Sequence, residues 1–200
     1  MNLQARIQAF TKLGEYLKDN FTSEKEEQIY SAKVKNAWFT EESIKGAINV
    51  WVEQLNDGML TAWINPYKLK EVESPKRVLI IMAGNIPLVG FHDFLAVLIS
   101  GHKVVIKLSS NDNILIPLII EKLIEIAPEF SSRIEFIEFI KDKKFEAVIA
   151  TGSDNSSKYF EYYFKDAKRI IRKNRRSVAI LDGTETVSYT HLRAHETDSY

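Results

Sequence analysis

Short runs of β-branched residues alternate with helical stretches from residue 77 onwards, and this alternation restricts the fold more than any other feature of the chain. We predict strands at Arg77–Met82, Val104–Ile106, Ile134–Ile140, Ala147–Ile149 and Val178–Leu181. We predict the intervening helices at Leu88–Ile99, Ile114–Ala127 and Ser156–Phe164. Strands and helices that alternate in this way form right-handed crossovers and a mostly parallel sheet covered on both faces. The sequence therefore predicts an α/β domain, which we place at residues 76–186.

The first third of the chain has a different, helical pattern. Apolar residues recur at steps of three and four between Leu3 and Leu17, which is the spacing of a helix with one buried side. Further helices are predicted at Glu24–Lys35 and Thr40–Leu55, before the polar, proline-containing segment Glu71–Lys76. We therefore predict a helical N-terminal region over residues 1–70.

The charge balance and the lack of cysteine exclude several classes of function. Lys plus Arg and Asp plus Glu each number 27, so the net charge gives no reason to expect a nucleic acid partner. Without a cysteine the chain has no disulfide, no thiolate metal site and no thiol nucleophile. No segment approaches the ~20 apolar residues of a membrane span. We expect a cytoplasmic protein with no membrane span and no metal.

The residues that follow the strands are the candidates for chemistry, because ligands of parallel sheets bind at the carboxyl ends of the strands. After the first strand, Gly84 allows a close backbone approach. Asn85 comes next, and its amide can stabilise an oxyanion. The alternative for Asn85 is a turn residue that bonds to its own backbone.

Two more strand ends carry candidate ligands of a ribose or a phosphate. Lys107 directly follows an apolar strand, and Ser109 and Ser110 come just after it. Such a lysine can reach a ribose or a phosphate, with a solvated charge as the alternative. The segment Thr151-Gly152-Ser153 lies between a strand and a helix whose free amides suit a phosphate, with an ordinary helix cap as the alternative for Ser153.

In the order and spacing of these three strand ends, the chain resembles the aldehyde dehydrogenase superfamily. The segments Gly84–Asp93 and Arg172–Ala179 resemble in particular the acyl-CoA reductases of the bacterial-luminescence type. The resemblance extends over about residues 76–186 and is weaker in the N-terminal helices. It implies a Rossmann-like nucleotide-binding half without the usual G-x-G-x-x-G fingerprint.

The resemblance implies a role for each candidate residue. Asn85 becomes the side-chain oxyanion donor, Lys107 the ligand of the adenosine ribose, and Thr151-Gly152-Ser153 the segment around the pyrophosphate. Ser110 stands where NAD-preferring members often carry a glutamate that binds the ribose hydroxyls, and Ser109 belongs to the same cofactor-binding segment. A neutral residue at this place removes a repulsion that a 2′-phosphate meets, so we expect NADPH rather than NADH.

A second departure from the superfamily concerns the direction of the reaction. Where oxidising members carry the glutamate that acts as general base, this chain has the basic segment Arg172–Ser177. The resemblance therefore implies NADPH-dependent reduction of a fatty acyl-CoA, or of an acyl-carrier thioester, to the aldehyde. The nucleophilic cysteine is expected beyond this fragment, and the full-length protein is expected to be a homo-oligomer. The alternatives are a CoA-acylating or semialdehyde dehydrogenase and, in another class, a non-catalytic nucleotide-binding module.

Basic residues cluster in the pairs Lys168-Arg169, Arg172-Lys173 and Arg175-Arg176. Such a cluster can bind nucleic acid, but this one is short and has no aromatic stacking pattern beside it. We interpret it as a contact for the phosphates of coenzyme A or NADPH, or as a solvated surface.

The C-terminal tail has a separate origin in our interpretation. The segment Val187–Thr197 matches a translation of the transposon-end adapter that is used in preparing sequencing libraries. We therefore expect the native reading to end near Thr186 and residues 187–200 to be non-native.

Overall fold

A parallel sheet positions the candidate residues. The computed structural model describes residues 1–140 and 144–173. Within these ranges the strands are β1 Arg77–Ile81, β2 Lys103–Lys107, β3 Ile134–Phe136, β4 Ala147–Thr151 and β5 Lys168–Arg172. They form one sheet in the order β3-β2-β1-β4-β5, and each neighbouring pair is parallel. The predicted α/β fold is confirmed.

Helices flank this sheet and make up most of the chain that precedes it. They are α1 Leu3–Tyr16, α2 Thr22–Glu24, α3 Glu26–Lys35, α4 Glu41–Gln54, α5 Asp57–Ile64, α6 Phe91–Ile99, α7 Leu115–Ile126 and α8 Asp154–Tyr163. A five-residue π-helical segment, Leu17–Phe21, joins α1 to α2. The side chain of Thr40 caps α4 by accepting a hydrogen bond from the amide of Ser43, in agreement with the helix start that the sequence indicates.

Both faces of the sheet are buried against other elements. Val78 and Ile80 of β1 face a large core that also contains apolar side chains of α1, α6 and α7. Leu79 and Ile81, which alternate with them, face a smaller core that contains Phe145 and Phe164. Burial of a side chain of this size stabilises the fold by roughly 1.5–3 kcal/mol. The large core therefore joins the N-terminal helices to one face of the sheet.

Arg6 strengthens this junction at the C-terminal end of α6. Its side chain is almost fully buried, and its Nε donates a hydrogen bond of 3.0 Å to the carbonyl oxygen of Ile99. One terminal nitrogen donates to the carbonyl oxygen of Met1 at 2.8 Å. Burial lowers the pKa of Arg6, while the nearby Glu71 opposes that effect. A cation at this position also interacts favourably with the helix dipole.

The strands differ from the prediction in two places. The strand predicted at Ile134–Ile140 ends at Phe136, because β2 itself ends and the amide of Ile137 makes the last bond, of 2.9 Å, to the carbonyl oxygen of Ile106. The strand β5 was not predicted, since three of its five residues are charged. It lies at the edge of the sheet, where charged side chains reach solvent.

The start of α6 also differs from the prediction. We predicted a helix from Leu88, but the structure begins it at Phe91. Leu88 has a φ of 59°, in the left-handed region, so it cannot form part of a right-handed helix. The predicted strand Val178–Leu181, the pair Arg175-Arg176 and the tail 187–200 lie outside the described residues.

Candidate functional site

A cleft opens where the chain leaves the carboxyl ends of β1, β4 and β5. Its volume is about 570 Å³, and it is lined by Asn85, Ile86, Val89, His92, Asp93, Thr151, Arg172 and Lys173. The strand β1 lies between β2 and β4, so the connections that follow β1 and β4 diverge at this point of the sheet. Such a switch point is where open α/β sheets bind their ligands.

Asn85 reaches the cleft from the loop between β1 and α6. The residue is exposed, whereas Pro87 and Leu88 behind it are buried. The amide of Leu88 donates a hydrogen bond of 3.1 Å to the carboxylate of Asp112. This bond connects the loop between β1 and α6 to the loop that follows β2. Asn85 therefore lines the cleft at the rim where the sequence places it, and its role as an oxyanion donor stays a prediction.

The segment after β4 contributes to the same cleft and also caps a helix. Thr151 lines the cleft together with Asn85. The Oγ atom of Ser153 accepts a hydrogen bond of 3.3 Å from the amide of Ser156, so Ser153 is the N-cap of α8. The structural role that we considered for Ser153 is thus present. It leaves Gly152 between the cleft and the N-terminus of a helix.

Lys107 lies on the same rim of the sheet but on the other side of β1. It ends β2, and its partner in the register is Ile81 of β1. It is half-buried and does not line the cleft around Asn85. Ser109, close by, accepts a hydrogen bond of 3.2 Å from the amide of Asn111, and Ser110 is exposed. The structure therefore brings Asn85 and Thr151 together and leaves Lys107, Ser109 and Ser110 beside them on the neighbouring loop.

An ion pair that the sequence does not reveal closes one wall of the cleft. Arg172 at the end of β5 donates two hydrogen bonds, of 2.5 and 2.8 Å, to the carboxylate oxygens of Asp93 on α6. Burial opposes ionisation of Asp93, but the nearby ring of His92, 3.7 Å away, and the two hydrogen bonds from Arg172 outweigh it and hold the pKa of this carboxyl below its usual range. A carboxylate bound in this way is a poor general base.

The basic cluster is divided among separate partners. Besides the pair of Arg172 with Asp93, Lys173 lies 2.5 Å from a carboxylate oxygen of Glu161 on α8. Arg169 donates to the carbonyl oxygen of Lys165 at 3.0 Å. The predicted absence of a nucleic acid partner stays a prediction.

A smaller apolar pocket adjoins the cleft. It measures about 280 Å³ and is lined by Trp51, Gln54, Met59, Leu60, Trp63, His92 and Leu95. His92 lines both this pocket and the cleft. Its ring centroid lies 6.5 Å from that of Trp51 and 5.7 Å from that of Trp63. The helices α4 and α5 therefore add an aromatic pocket to the cleft, which the sequence pattern did not indicate.

Hydrogen-bond donors of several kinds line the cleft. Asn85 and Thr151 provide an amide and a hydroxyl, and the cations Arg172 and Lys173 are each paired with a carboxylate, of Asp93 and Glu161 respectively. Among the described residues that line the cleft, Asp93 is the carboxylate, and Arg172 neutralises it. In the described ranges, no three His, Cys, Asp or Glu side chains are placed to hold a metal ion. No helix there is long and apolar enough to cross a bilayer.

Sequence comparisons find no matching protein-family model and no matching curated protein. Comparison with solved structures, in contrast, finds similar proteins. Aldehyde dehydrogenase 21 from Physcomitrella patens, in complex with the reaction product succinate, matches with a TM-score of 0.66 and 17% identity over 96% of this chain and 44% of that one. This chain therefore shares the fold of the matched part of that enzyme. At this low identity the likeness concerns the fold alone.

Two further neighbours carry nicotinamide nucleotides in their crystal structures. Betaine aldehyde dehydrogenase from Staphylococcus aureus, in complex with NAD+, matches with a TM-score of 0.65 and 14% identity over 87% of this chain and 39% of that one. Glyceraldehyde-3-phosphate dehydrogenase from Methanocaldococcus jannaschii, complexed with NADP, matches with a TM-score of 0.62 and 13% identity over 88% of this chain and 42% of that one. The chain thus spans less than half the length of each of these neighbours.

Proposed function

We propose that this chain is the nucleotide-binding part of an NADPH-dependent oxidoreductase that reduces a fatty acyl thioester to the aldehyde. The observation that carries the proposal is the cleft at the switch point of the sheet, where an amide donor, a hydroxyl and two ion-paired cations meet. The aldehyde dehydrogenase fold supports the general class of oxidoreductase. The residues of this chain support the direction of the reaction and the kind of substrate.

The rim residues divide the binding of a dinucleotide between two loops. Lys107 at the end of β2 and Ser110 in the loop that follows are the proposed contacts for the adenosine ribose and its 2′-phosphate. Thr151, Gly152 and the N-terminus of α8 are the proposed contacts for the pyrophosphate, since free helix amides favour anions. When bound, NADPH supplies the hydride for the reduction.

Asn85 and Arg172 have different roles in the proposed chemistry. The amide of Asn85 donates to the carbonyl oxygen of the thioester, and a donor of this kind stabilises the developing oxyanion by about 3 kcal/mol. The thioester would be one formed on a cysteine that this chain lacks; on reduction its carbon–sulfur bond would break, the acyl group would leave as the aldehyde, and the cysteine sulfur would take a proton from solvent. Arg172 binds the cleft carboxylate Asp93, so that neither side chain activates water for hydrolysis of the thioester.

The apolar pocket supports a substrate with a long aliphatic chain. It shares the lining residue His92 with the cleft that Asn85 lines, and we place the aliphatic chain there. Its walls include two tryptophans, a methionine and two leucines, and burial of aliphatic carbon against such walls contributes about 0.8 kcal/mol per methylene. A short semialdehyde cannot use this pocket.

Titration of the purified chain with NADPH and with NADH tests the proposal. We expect both nucleotides to bind, with NADPH the tighter. The substitution Ser110→Glu places a negative charge where the 2′-phosphate is proposed to lie, so it should weaken NADPH binding by about tenfold and spare NADH. Ser131→Glu adds the same charge before β3, at the opposite rim, and should change neither affinity. A chain that binds neither nucleotide would contradict the proposal.

A further inference from the structure

Two loops of the proposed nucleotide site are fastened together by buried polar side chains. The Asn85 loop, residues 82–90, carries the proposed oxyanion donor. The Ser110 loop, residues 108–114, directly follows the proposed ribose ligand Lys107 and carries Ser110, the proposed contact for the 2′-phosphate. The loops are in close contact, because a Cβ atom on Gly84 would lie 2.5 Å from the Oγ atom of Ser109. Their relative position therefore decides how the two halves of the site face each other.

Asn36 forms the first of these fastenings. It is 8% exposed and lies at the C-terminal end of α3, in the helical N-terminal region. Its Nδ2 atom donates hydrogen bonds of 3.1 Å to the carbonyl oxygen of Gly84 and 3.2 Å to that of Asn111. One amide group thus bridges both loops. Its Oδ1 atom accepts from the amide of Trp38 at 3.1 Å, which fixes the orientation of the side chain.

Asp112 forms the second fastening. It is 4% exposed, and its Oδ2 atom accepts a hydrogen bond of 3.1 Å from the amide of Leu88 in the Asn85 loop. That amide belongs to a residue with a φ of 59°, a conformation that costs a non-glycine residue roughly 1–2 kcal/mol. Strained residues of this kind persist only where the surroundings hold them, and they cluster at functional sites.

Burial of these two polar side chains costs more free energy than a purely structural contact between the loops requires. Burial of a carboxylate is unfavourable, and two backbone amides are the groups that act against it at Asp112. Apolar side chains bring two loops together without that loss of stability. They do not fix a particular backbone amide or carbonyl, whereas a hydrogen bond does.

We propose that Asn36 and Asp112 are positioning residues, which we call the clasp, and that the clasp holds the Asn85 loop and the Ser110 loop in the one arrangement that binds the nucleotide. The nucleotide itself rests on the function proposed above. Through Asn36, the helical N-terminal region takes part in shaping the site. Neither clasp residue lines the cleft around Asn85.

The amide of Leu88 tests the clasp in the unsubstituted chain, without any nucleotide. We expect it to exchange with solvent slowly, because its acceptor is buried. In two-dimensional amide spectra, Asn36→Ala and Asp112→Ala should both shift the signals of Asn85, Leu88 and Ser110. Asn113→Ala is the matched control, since Asn113 lies in the same loop but is exposed and bonds only to the exposed Lys35 in the described structure. A fast-exchanging Leu88 amide, or loop signals that Asn36→Ala leaves unmoved, would overturn the clasp.

NADPH affinity supplies the functional measurement. Loss of one fastening should weaken NADPH binding by about tenfold, a change that corresponds to one hydrogen bond. Asp112→Asn keeps an oxygen acceptor for the amide of Leu88, so it should restore most of the affinity that Asp112→Ala loses. Equal affinities in folded Asn36→Ala, Asp112→Ala and Asn113→Ala would overturn the role in binding. If the unsubstituted chain binds no NADPH, the proposed function is wrong. The amide signals alone then decide whether the clasp holds the two loops together.

Discussion

Asp112 makes folding depend on pH in an unusual direction. Burial raises the pKa of Asp112 to about 6, against the opposing effect of the backbone amides of Leu88 and Leu115. An unfolded aspartate has a pKa of about 4. The folded state therefore binds the proton more tightly. Stability from this residue is highest below pH 4 and is lost as the pH rises to 6.

The substitution Asp112→Asn removes this pH dependence. The difference between the two pKa values corresponds to about 3 kcal/mol at neutral pH, so the free energy of unfolding at pH 7 should rise by up to that amount. At pH 4 the two proteins should be nearly equal. Urea unfolding at several pH values measures both quantities. A variant that is less stable than the parent at pH 7 would contradict the raised pKa.

Individual residues differ in how far the sequence could predict their place. Asn85 and Thr151 follow neighbouring parallel strands, so one structural rule places them at the same rim. The pair of Asp93 with Arg172 joins residues 79 positions apart. No local pattern encodes such a contact, because it depends on β5 lying beside the first turn of α6 in the folded chain. The bridges from Asn36 are equally non-local.

At the scale of the elements, local periodicity predicted those with a strong apolar pattern and missed those without one. The helix α5 has eight residues and follows α4 closely, so its pattern is too short to separate from that of α4. The strand β5 carries Lys168, Arg169 and Arg172, so its sequence pattern is typical of a charged surface rather than of a strand. Both missed elements shape the site, since α5 provides Met59, Leu60 and Trp63 and β5 provides Arg172.

The pocket formed by α4, α5 and α6 leads to a prediction about acyl chains. A long-chain acyl-CoA that carries bromine on its aliphatic tail should quench the fluorescence of Trp51 and Trp63, because bromine quenches tryptophan only at close range. Each added methylene that enters the pocket should strengthen binding by about fourfold. The chain has three tryptophans, and the third, Trp38, is 82% exposed and does not line the pocket.

Tryptophan variants separate the pocket from the rest of the surface. In Trp38→Phe the quenching should remain. In the double variant Trp51→Phe and Trp63→Phe the remaining emission comes from Trp38 and should be unaffected by the brominated tail. Quenching of Trp38 alone would place the acyl chain elsewhere. A brominated short-chain acyl-CoA serves as the matched ligand control.

On the scale of the whole molecule, the chain matches less than half of the length of each structural neighbour described above. The chain spans 44% of the Physcomitrella patens enzyme that it resembles. Apolar side chains on α8 and β5 are exposed, among them Tyr159, Tyr162, Tyr163 and Ile170. A surface of this composition favours association with other protein. It lies on the side of the sheet where β5 forms the edge of the described structure.

The chain contains no cysteine, and this determines what we expect when NADPH and an acyl-CoA are both present. The chain should bind NADPH and a long-chain acyl-CoA but should not oxidise NADPH in their joint presence, because it has no thiol to accept the acyl group. NADPH absorbance at saturating acyl-CoA measures this directly, with a protein-free mixture as control. Chain-dependent loss of absorbance together with aldehyde formation would contradict the prediction. It would mean that the cleft around Asn85 delivers hydride to the bound thioester without covalent catalysis.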